Sequence, residues 1–383
     1  MTDLLRQEIA TAAQTVVIKV GTRVLTHDDG TLNQLRIEQL SEELHQLMAT
    51  GRKVLLVSSG AVGAGMSQLE LTQRPTDLAQ LQAVAAVGQA KLTQIYDHSL
   101  RTHGRHAAQV LLTAEDLDDR TRYLNIRNTL LSLLDYQVIP IINENDTVSV
   151  EELMTTFGDN DRLAARVTNL LQAPLLIILS DVDGLYDGSP DDPQSKLIPL
   201  VQQLDDQLMG VVRDKKTGHS KGGMSSKLEA ARLVTTAGEN MIIASGRKPG
   251  VLQKIMAGED IGTLFLAQGK TVSQRKRWIG FSVEPRGTVL VDNGASRAIL
   301  EQGRSLLPIG ITEVQGQFIK GDIIRICNQQ NTELARGLTN YTHQEIKKIL
   351  GKQTSQIAET LGHHPYDEVV HRDNLALYEP GSG

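Results

Sequence analysis

The chain has 383 residues, 40% of them hydrophobic and 22% charged, with a formal net charge of −6. That length suffices for two or three domains with a sizeable core, and the composition is that of an ordinary globular protein. The negative balance argues against a protein that coats nucleic acid, and a single cysteine, Cys327, excludes an internal disulfide and a cysteine-built zinc site. The first ten residues include Asp3, Arg6, Gln7 and Glu8, so they lack the apolar core of a signal peptide. The longest apolar run, 174–179, is far too short to cross a bilayer. A cytoplasmic location is expected.

The β-branched run Val16-Val17-Ile18 reads as a buried strand that ends in Lys19 and Gly21. A lysine in so apolar a run either snorkels to solvent or meets an anion, because an unpaired buried ammonium is costly. Gly21 lets the backbone turn and lets an anion approach its N–H. Apolar residues at Leu35, Leu40, Leu44, Leu47 and Met48 predict a helix closed by Gly51. A second buried strand over 54–57 runs into Ser58-Ser59-Gly60-Ala61-Val62-Gly63-Ala64-Gly65. Small residues between a strand and a helix suit an anion site, since backbone N–H groups and the helix N-terminus face the same point. The plain alternative is a turn used only for tight packing. The glycines match neither the dinucleotide fingerprint nor a P-loop; Gly269-Lys270-Thr271 lacks the earlier glycine.

A long helix is predicted over 77–103, then a strand over 107–112, a helix over 120–134 and a strand over 138–142. The last strand ends in Asn143-Glu144-Asn145-Asp146, at the strand edge where ligands gather in open α/β sheets, although Asn and Asp are also ordinary turn residues. Phe157-Gly158-Asp159-Asn160-Asp161 heads another helix, with more polar residues than one N-cap requires. The fully apolar strand 175–179 leads into Ser180-Asp181, and Gly184-Leu185-Tyr186 follows; Asp191-Asp192-Pro193 reads as a surface turn. The stretch from Gly218-His219-Ser220-Lys221 through Gly222-Gly223-Met224-Ser225-Ser226-Lys227 is a second glycine-rich entry to a helix. A strand over 240–244 follows. Strands thus alternate with helices from 15 to about 265, which predicts a doubly wound, mainly parallel sheet in an open αβα sandwich. The expected divisions are a first domain over 1–268, a linker over 269–281 containing Arg275-Lys276-Arg277, a small mostly β domain over 282–361, and a tail over 362–383.

Taken together, six of these motifs resemble glutamate 5-kinases of the amino acid kinase superfamily, in the same order along the chain. They are Lys19-Val20-Gly21-Thr22, Ser58-Ser59-Gly60-Ala61, Ile142-Asn143-Glu144-Asn145-Asp146, Phe157-Gly158-Asp159-Asn160-Asp161, Ser180-Asp181 with Gly184-Leu185-Tyr186, and Gly222-Gly223-Met224-Ser225-Ser226-Lys227. The C-terminal module is similar to the PUA domain that many bacterial members carry. The resemblance covers nearly the whole chain and implies ATP-dependent phosphorylation of the L-glutamate γ-carboxylate, the first step of proline synthesis. It also implies feedback inhibition by proline near the glutamate pocket, a homo-oligomer (dimer or tetramer), and Mg²⁺ carried by ATP rather than by a protein cage.

Carried over by position, Lys19 and Lys227 would neutralise the transferred phosphoryl group, Gly21 and Gly60 would donate backbone N–H groups to it, and Asp159 would hold the lysines. Ser59, Asp146 and Asn160 would bind glutamate. Lys19, Ser180, Asp181 and the loop Lys221, Gly222, Gly223, Met224, Ser225, Ser226 and Lys227 would bind ATP. Lys221 stands where the family commonly has threonine, which puts a side-chain contact from that position in question. The product would be an acyl phosphate, handed on to glutamyl phosphate reductase.

The rival readings are a sibling kinase acting on acetylglutamate, aspartate or a nucleoside monophosphate, and, from another class, an RNA-binding protein. Residues 283–361 hold nine Lys/Arg against eight Asp/Glu, which offers no basic stripe for a phosphate backbone. His363 and His364 are adjacent and make a poor metal pair, so a solvated tail is expected there. Trp278, beside the linker, is expected to pack between the domains.

Overall fold

The computed structural model describes residues 3–27, 29–148, 159–190, 192–204, 221–268, 278–363 and 366–377. Several motif residues lie outside these: Phe157, Gly158, the 218–220 stretch, Asp191, the basic run 275–277, Gly269-Lys270-Thr271 and His364. The chain divides into two units, 1–270 and 271–383.

The first unit begins with α1 (Leu4–Ala12), β1 (Thr15–Val20), α2 (Thr22–Leu25) and α3 (Gln34–Ala49). There follow β2 (Lys53–Ser58), α4 (Ala61–Gln68), α5 (Leu78–Arg101), β3 (Ala107–Leu112), α6 (Ala114–Asp118), α7 (Arg120–Asp135) and β4 (Ile139–Glu144). The remainder is α8 (Asp159–Leu171), β5 (Leu175–Ser180), β6 (Leu200–Val201), α9 (Lys221–Thr236), β7 (Asn240–Ser245), α10 (Val251–Met256) and β8 (Thr263–Phe265). The strands form one sheet in the order β3-β4-β2-β1-β5-β7-β8-β6, parallel throughout except where β8 runs antiparallel to β7. This is the doubly wound, mainly parallel arrangement that the alternating elements predict.

The central strands are apolar on both faces because helices cover both, so they read as continuous hydrophobic runs. Val16, Val17 and Ile18 in β1 and Leu175 to Leu179 in β5 are fully buried. The order of strand addition reverses between β1 and β5, which are parallel: the chain leaves β1 toward β2 and returns to β1's other side as β5. Val20 is level with Ser58 on one side and with Leu179 on the other. The three strand ends therefore deliver Gly21, Ser59 and Ser180 to the same edge, the topological switch point where open sheets bind ligands.

Two glycine contacts fix the helix that starts at this edge. Gly60 turns the chain at φ 107°, a left-handed conformation that suits glycine. Further on, a Cβ on Gly88 of α5 would stand 1.8 Å from the Ala61 carbonyl oxygen, so the α4 and α5 backbones touch.

In the second unit β9 (Gly287–Val291), α11 (Asn293–Leu300), β10 (Ile311–Gly316), β11 (Ile323–Cys327) and β12 (Glu333–Leu338) come first. They precede α12 (His343–Ile349), α13 (Ile357–Leu361) and β13 (Leu375–Leu377). The sheet order is β10-β9-β11-β12-β13, over a separate core that includes Val289, Ile324, Tyr341 and Val370. Two expectations are corrected here. The stretch after 361 is not only a tail: Leu375-Ala376-Leu377 pairs with β12, a strand too short to stand out among polar neighbours. Trp278 is buried and heads a π-helical turn, Trp278–Ser282, that lies against β12 and β13 of its own unit. His363, expected in solvent, is half exposed and bridges Glu345 at 3.2 Å.

Candidate active site

The centre of the site is a buried carboxylate between two buried ammonium groups. Lys19 Nζ lies 2.6 Å from Asp161 Oδ1, and Lys227 Nζ lies 3.1 Å from Asp161 Oδ2. Asp161 is 1% exposed, Lys19 6% and Lys227 9%. The lysines come from opposite ends of the domain sequence. Lys19 sits near the end of β1, and Lys227 sits in the second turn of α9. Asp161 is in the first turn of α8, which packs against both α9 and β1.

The bridging residue is Asp161. Asp159 was expected to hold the two lysines, but Asp161 holds them; the Asp159 side chain lies outside the described residues.

Neutral partners complete the hydrogen bonding. Ser226 Oγ donates to Asp161 Oδ2 at 2.9 Å, and Lys227 Nζ also donates to the Gly223 carbonyl at 3.0 Å. Burial alone would push the Asp161 carboxyl up, but the Lys19 and Lys227 ammonium groups and the hydrogen bonds from Lys19 and Ser226 hold it below the ordinary carboxylate value. Lys227 is pushed down instead, by burial and by the like charge of Lys19, against the pull of Asp161.

A pH dependence follows. Asp161 titrates lower in the folded chain than in the unfolded one, where its pKa is about 4. Its pairing therefore stabilises the fold fully above about pH 4, and this contribution is lost as pH falls through the lower, folded value. Guanidinium unfolding midpoints measured down through that range are expected to drop, with a shallower drop in Asp161→Asn. Equal acid slopes would show that the carboxylate is not held by the lysines.

The glycines divide. The Gly21 N–H, expected to donate to a phosphoryl group, donates to the Leu179 carbonyl at 3.1 Å. The β1–β5 ladder runs one residue past the strand and takes that donor. Gly21 instead lies beside the Lys19 ammonium, 3.6 Å from where its Cβ would stand. Gly60 immediately precedes α4, whose first N–H groups have no partner within the helix.

Of the residues expected to bind the acceptor, Ser59 and Asn160 meet: Asn160 Nδ2 donates to Ser59 Oγ at 3.0 Å. Asp146 is buried just beyond β4 at the same edge. On the nucleotide side, Ser180 Oγ donates to Asp181 Oδ1 at 3.1 Å, at the end of β5. Burial would raise the Asp181 carboxyl, but hydrogen bonding and charge from Arg23 bring it below its ordinary value. Arg23, 3.1 Å from Asp181, was not singled out in the sequence, because an exposed arginine after a glycine turn carries no signal of its own. Met224 and Ser225 lie in the first turns of α9 with Gly223; the side-chain positions at Lys221 and Gly222 are outside the described residues.

Comparison with known proteins agrees with this geometry. The model of the amino acid kinase family matches residues 14–245, and that of the PUA domain matches residues 287–361. A glutamate 5-kinase from Rhodopirellula baltica is 49% identical over 97% of this chain and 96% of its own. One from Caldanaerobacter subterraneus subsp. tengcongensis is 46% identical over 96% and 98%. Another, from Geobacter sulfurreducens, is 42% identical over 97% of this chain and all of its own. With its parallel sheet, its lysine–aspartate–lysine centre and these full-length relatives, the chain belongs to the amino acid kinase family, among the glutamate 5-kinases that carry a C-terminal PUA domain.

Proposed function

We propose that the protein transfers the γ-phosphoryl group of ATP to the γ-carboxylate of L-glutamate, giving L-glutamyl 5-phosphate for proline synthesis. The observation that carries this reading is the Lys19–Asp161–Lys227 bridge at the switch point of the sheet. In this reaction a carboxylate oxygen forms a bond to the γ-phosphorus while the bond to the ADP oxygen breaks. The carboxylate is already ionised near neutral pH, so no base has to remove a proton. The difficulty is bringing two anions together and stabilising the charge on the group in flight, which is a matter of positioning and electrostatics.

Lys19 and Lys227 supply that stabilisation, and Asp161 sets a counter-charge between the two ammonium groups and fixes their positions. With one carboxylate against two ammonium groups, the centre retains a net positive charge for the phosphoryl group to meet. Ser59, Asp146 and Asn160 hold the amino acid. Ser180, Asp181 and the 221–227 stretch hold the nucleotide, with Gly60 and the start of α4 facing the phosphoryl group. Mg²⁺ would be carried by the ATP phosphates, where it would supply screening of their charge. Both oxygens of Asp161 face lysines, so this carboxylate is not among the metal's ligands.

Inhibition by proline at the acceptor pocket, assembly into a homo-oligomer, a cytoplasmic location and hand-over of the acyl phosphate to glutamyl phosphate reductase are part of the same proposal. Among the described residues no helix is long and apolar enough to cross a membrane.

The test is ATP consumption with L-glutamate and Mg²⁺, trapping the product with hydroxylamine, with and without proline. Hydroxamate formed from free glutamate and suppressed by proline is the expected result. Activity on acetylglutamate or aspartate in its place would move the function to a sibling kinase.

A further inference from the structure

A hydrogen-bonded relay enters the site from α5, a helix from which no site residue was expected. Thr93 donates its hydroxyl to the Gln89 carbonyl at 3.0 Å, so its oxygen is left to accept from Gln89 Nε2 at 3.5 Å. This turns Gln89 Oε1 toward Asn143, whose Nδ2 donates to it at 2.7 Å. Asn143 Oδ1 then accepts from Asn160 Nδ2 at 3.0 Å, and the same nitrogen donates to Ser59 Oγ at 3.0 Å. A side-chain amide nitrogen has two hydrogens, and both of Asn160's are committed. Gln89, Asn143, Asn160 and Ser59 are all buried, so water does not compete for these bonds.

We propose that Gln89 is a positioning residue for the acceptor substrate: through Asn143 it fixes the hydrogen-bond polarity of Asn160 and Ser59. The proposal rests on the reading above that these two residues bind the acceptor. With its nitrogen committed, Asn160 meets the substrate only through Oδ1, an acceptor suited to an ammonium group. Ser59 accepts from Asn160 and so keeps its own hydrogen to give to a carboxylate. Together they match the two charged ends of a free α-amino acid. Without the Gln89 oxygen, the Asn143 amide has no reason to keep its oxygen toward Asn160, and a flipped amide would set donor against donor.

Steady-state kinetics on the full chain test this. Gln89→Leu is expected to raise the KM for L-glutamate about tenfold, the worth of one misdirected buried hydrogen bond. The KM for ATP should stay within about twofold, because the nucleotide residues lie outside the relay. Combining Gln89→Leu with Ser59→Ala should add little to the larger single effect, because both act through one network. Gln89→Glu, which keeps an oxygen toward Asn143, is expected to bring the glutamate KM back to within about threefold of the wild type. An unchanged glutamate KM in Gln89→Leu would overturn the proposal. So would a parallel rise in both KM values, additive losses in the double variant, or a Gln89→Glu enzyme as poor as the leucine one. If the wild type phosphorylates a different carboxylate, the functional reading fails, and the relay is judged by the KM for that carboxylate in the same variants.

Discussion

Asp161→Asn is expected to unfold more easily by about 3 kcal/mol, the usual effect of breaking a buried ion pair from one side. Its turnover is expected to fall by at least about 100-fold, the scale of losing one preorganised electrostatic contact. The substitution keeps the shape of the side chain but leaves the Lys19 and Lys227 ammonium groups facing each other with no counter-charge and almost no access to water. An amide can still accept from one lysine; toward the other it turns its own N–H. The buried cations must then move apart, draw in water or lose a proton, and each of these spoils the geometry that meets the phosphoryl group. A second substitution separates stability from catalysis. Lys19→Met in the Asp161→Asn background removes one stranded charge and should recover part of the guanidinium midpoint without recovering activity. Wild-type stability in Asp161→Asn alone would mean that the carboxylate does not hold the pair.

Lys227→Ala is expected to lose turnover by about 1,000-fold and to remain folded. The difference from Asp161→Asn lies in the charges left behind. Without Lys227, Asp161 still faces Lys19 at 2.6 Å, a balanced pair, so burial strands no charge. The site loses its excess positive charge, and with it the attraction for an anion carrying an anion. Thermal unfolding should therefore shift little while kcat collapses. Near-normal turnover in this variant would remove Lys227 from the catalytic set.

The sheet and most of the site are legible in the sequence for a physical reason. Strands buried on both faces must be apolar runs, so 16–18, 54–57 and 175–179 stand out, and the polar or glycine residues that end them mark the ligand edge. The role of Asp161 is not legible. Asp159, Asn160 and Asp161 are consecutive polar residues at a helix start, where any of them suits an N-cap, so residue type alone does not say which one faces β1. The Gly21 N–H is equally hidden, because a strand run does not reveal where its last ladder bond falls. Gln89 is one glutamine among several in an Ala- and Gln-rich helix. Only the approach of α5 to Asn143 distinguishes it.

The contact between Gly65 on α4 and Gly88 on α5 has a mechanical meaning. At both positions a methyl group would overlap the opposite backbone, at 1.9 Å from the Val84 oxygen and 1.8 Å from the Ala61 oxygen. Two helices pressed together with no side chain between them have no slack to slide, and Gly60 rides on the first of them. If Gly60 faces the phosphoryl group as proposed, that turn is mounted on a tightly packed base. In the proposed reaction, which brings two anions together, a wall that needs no rearrangement at the moment of transfer would contribute by preorganisation.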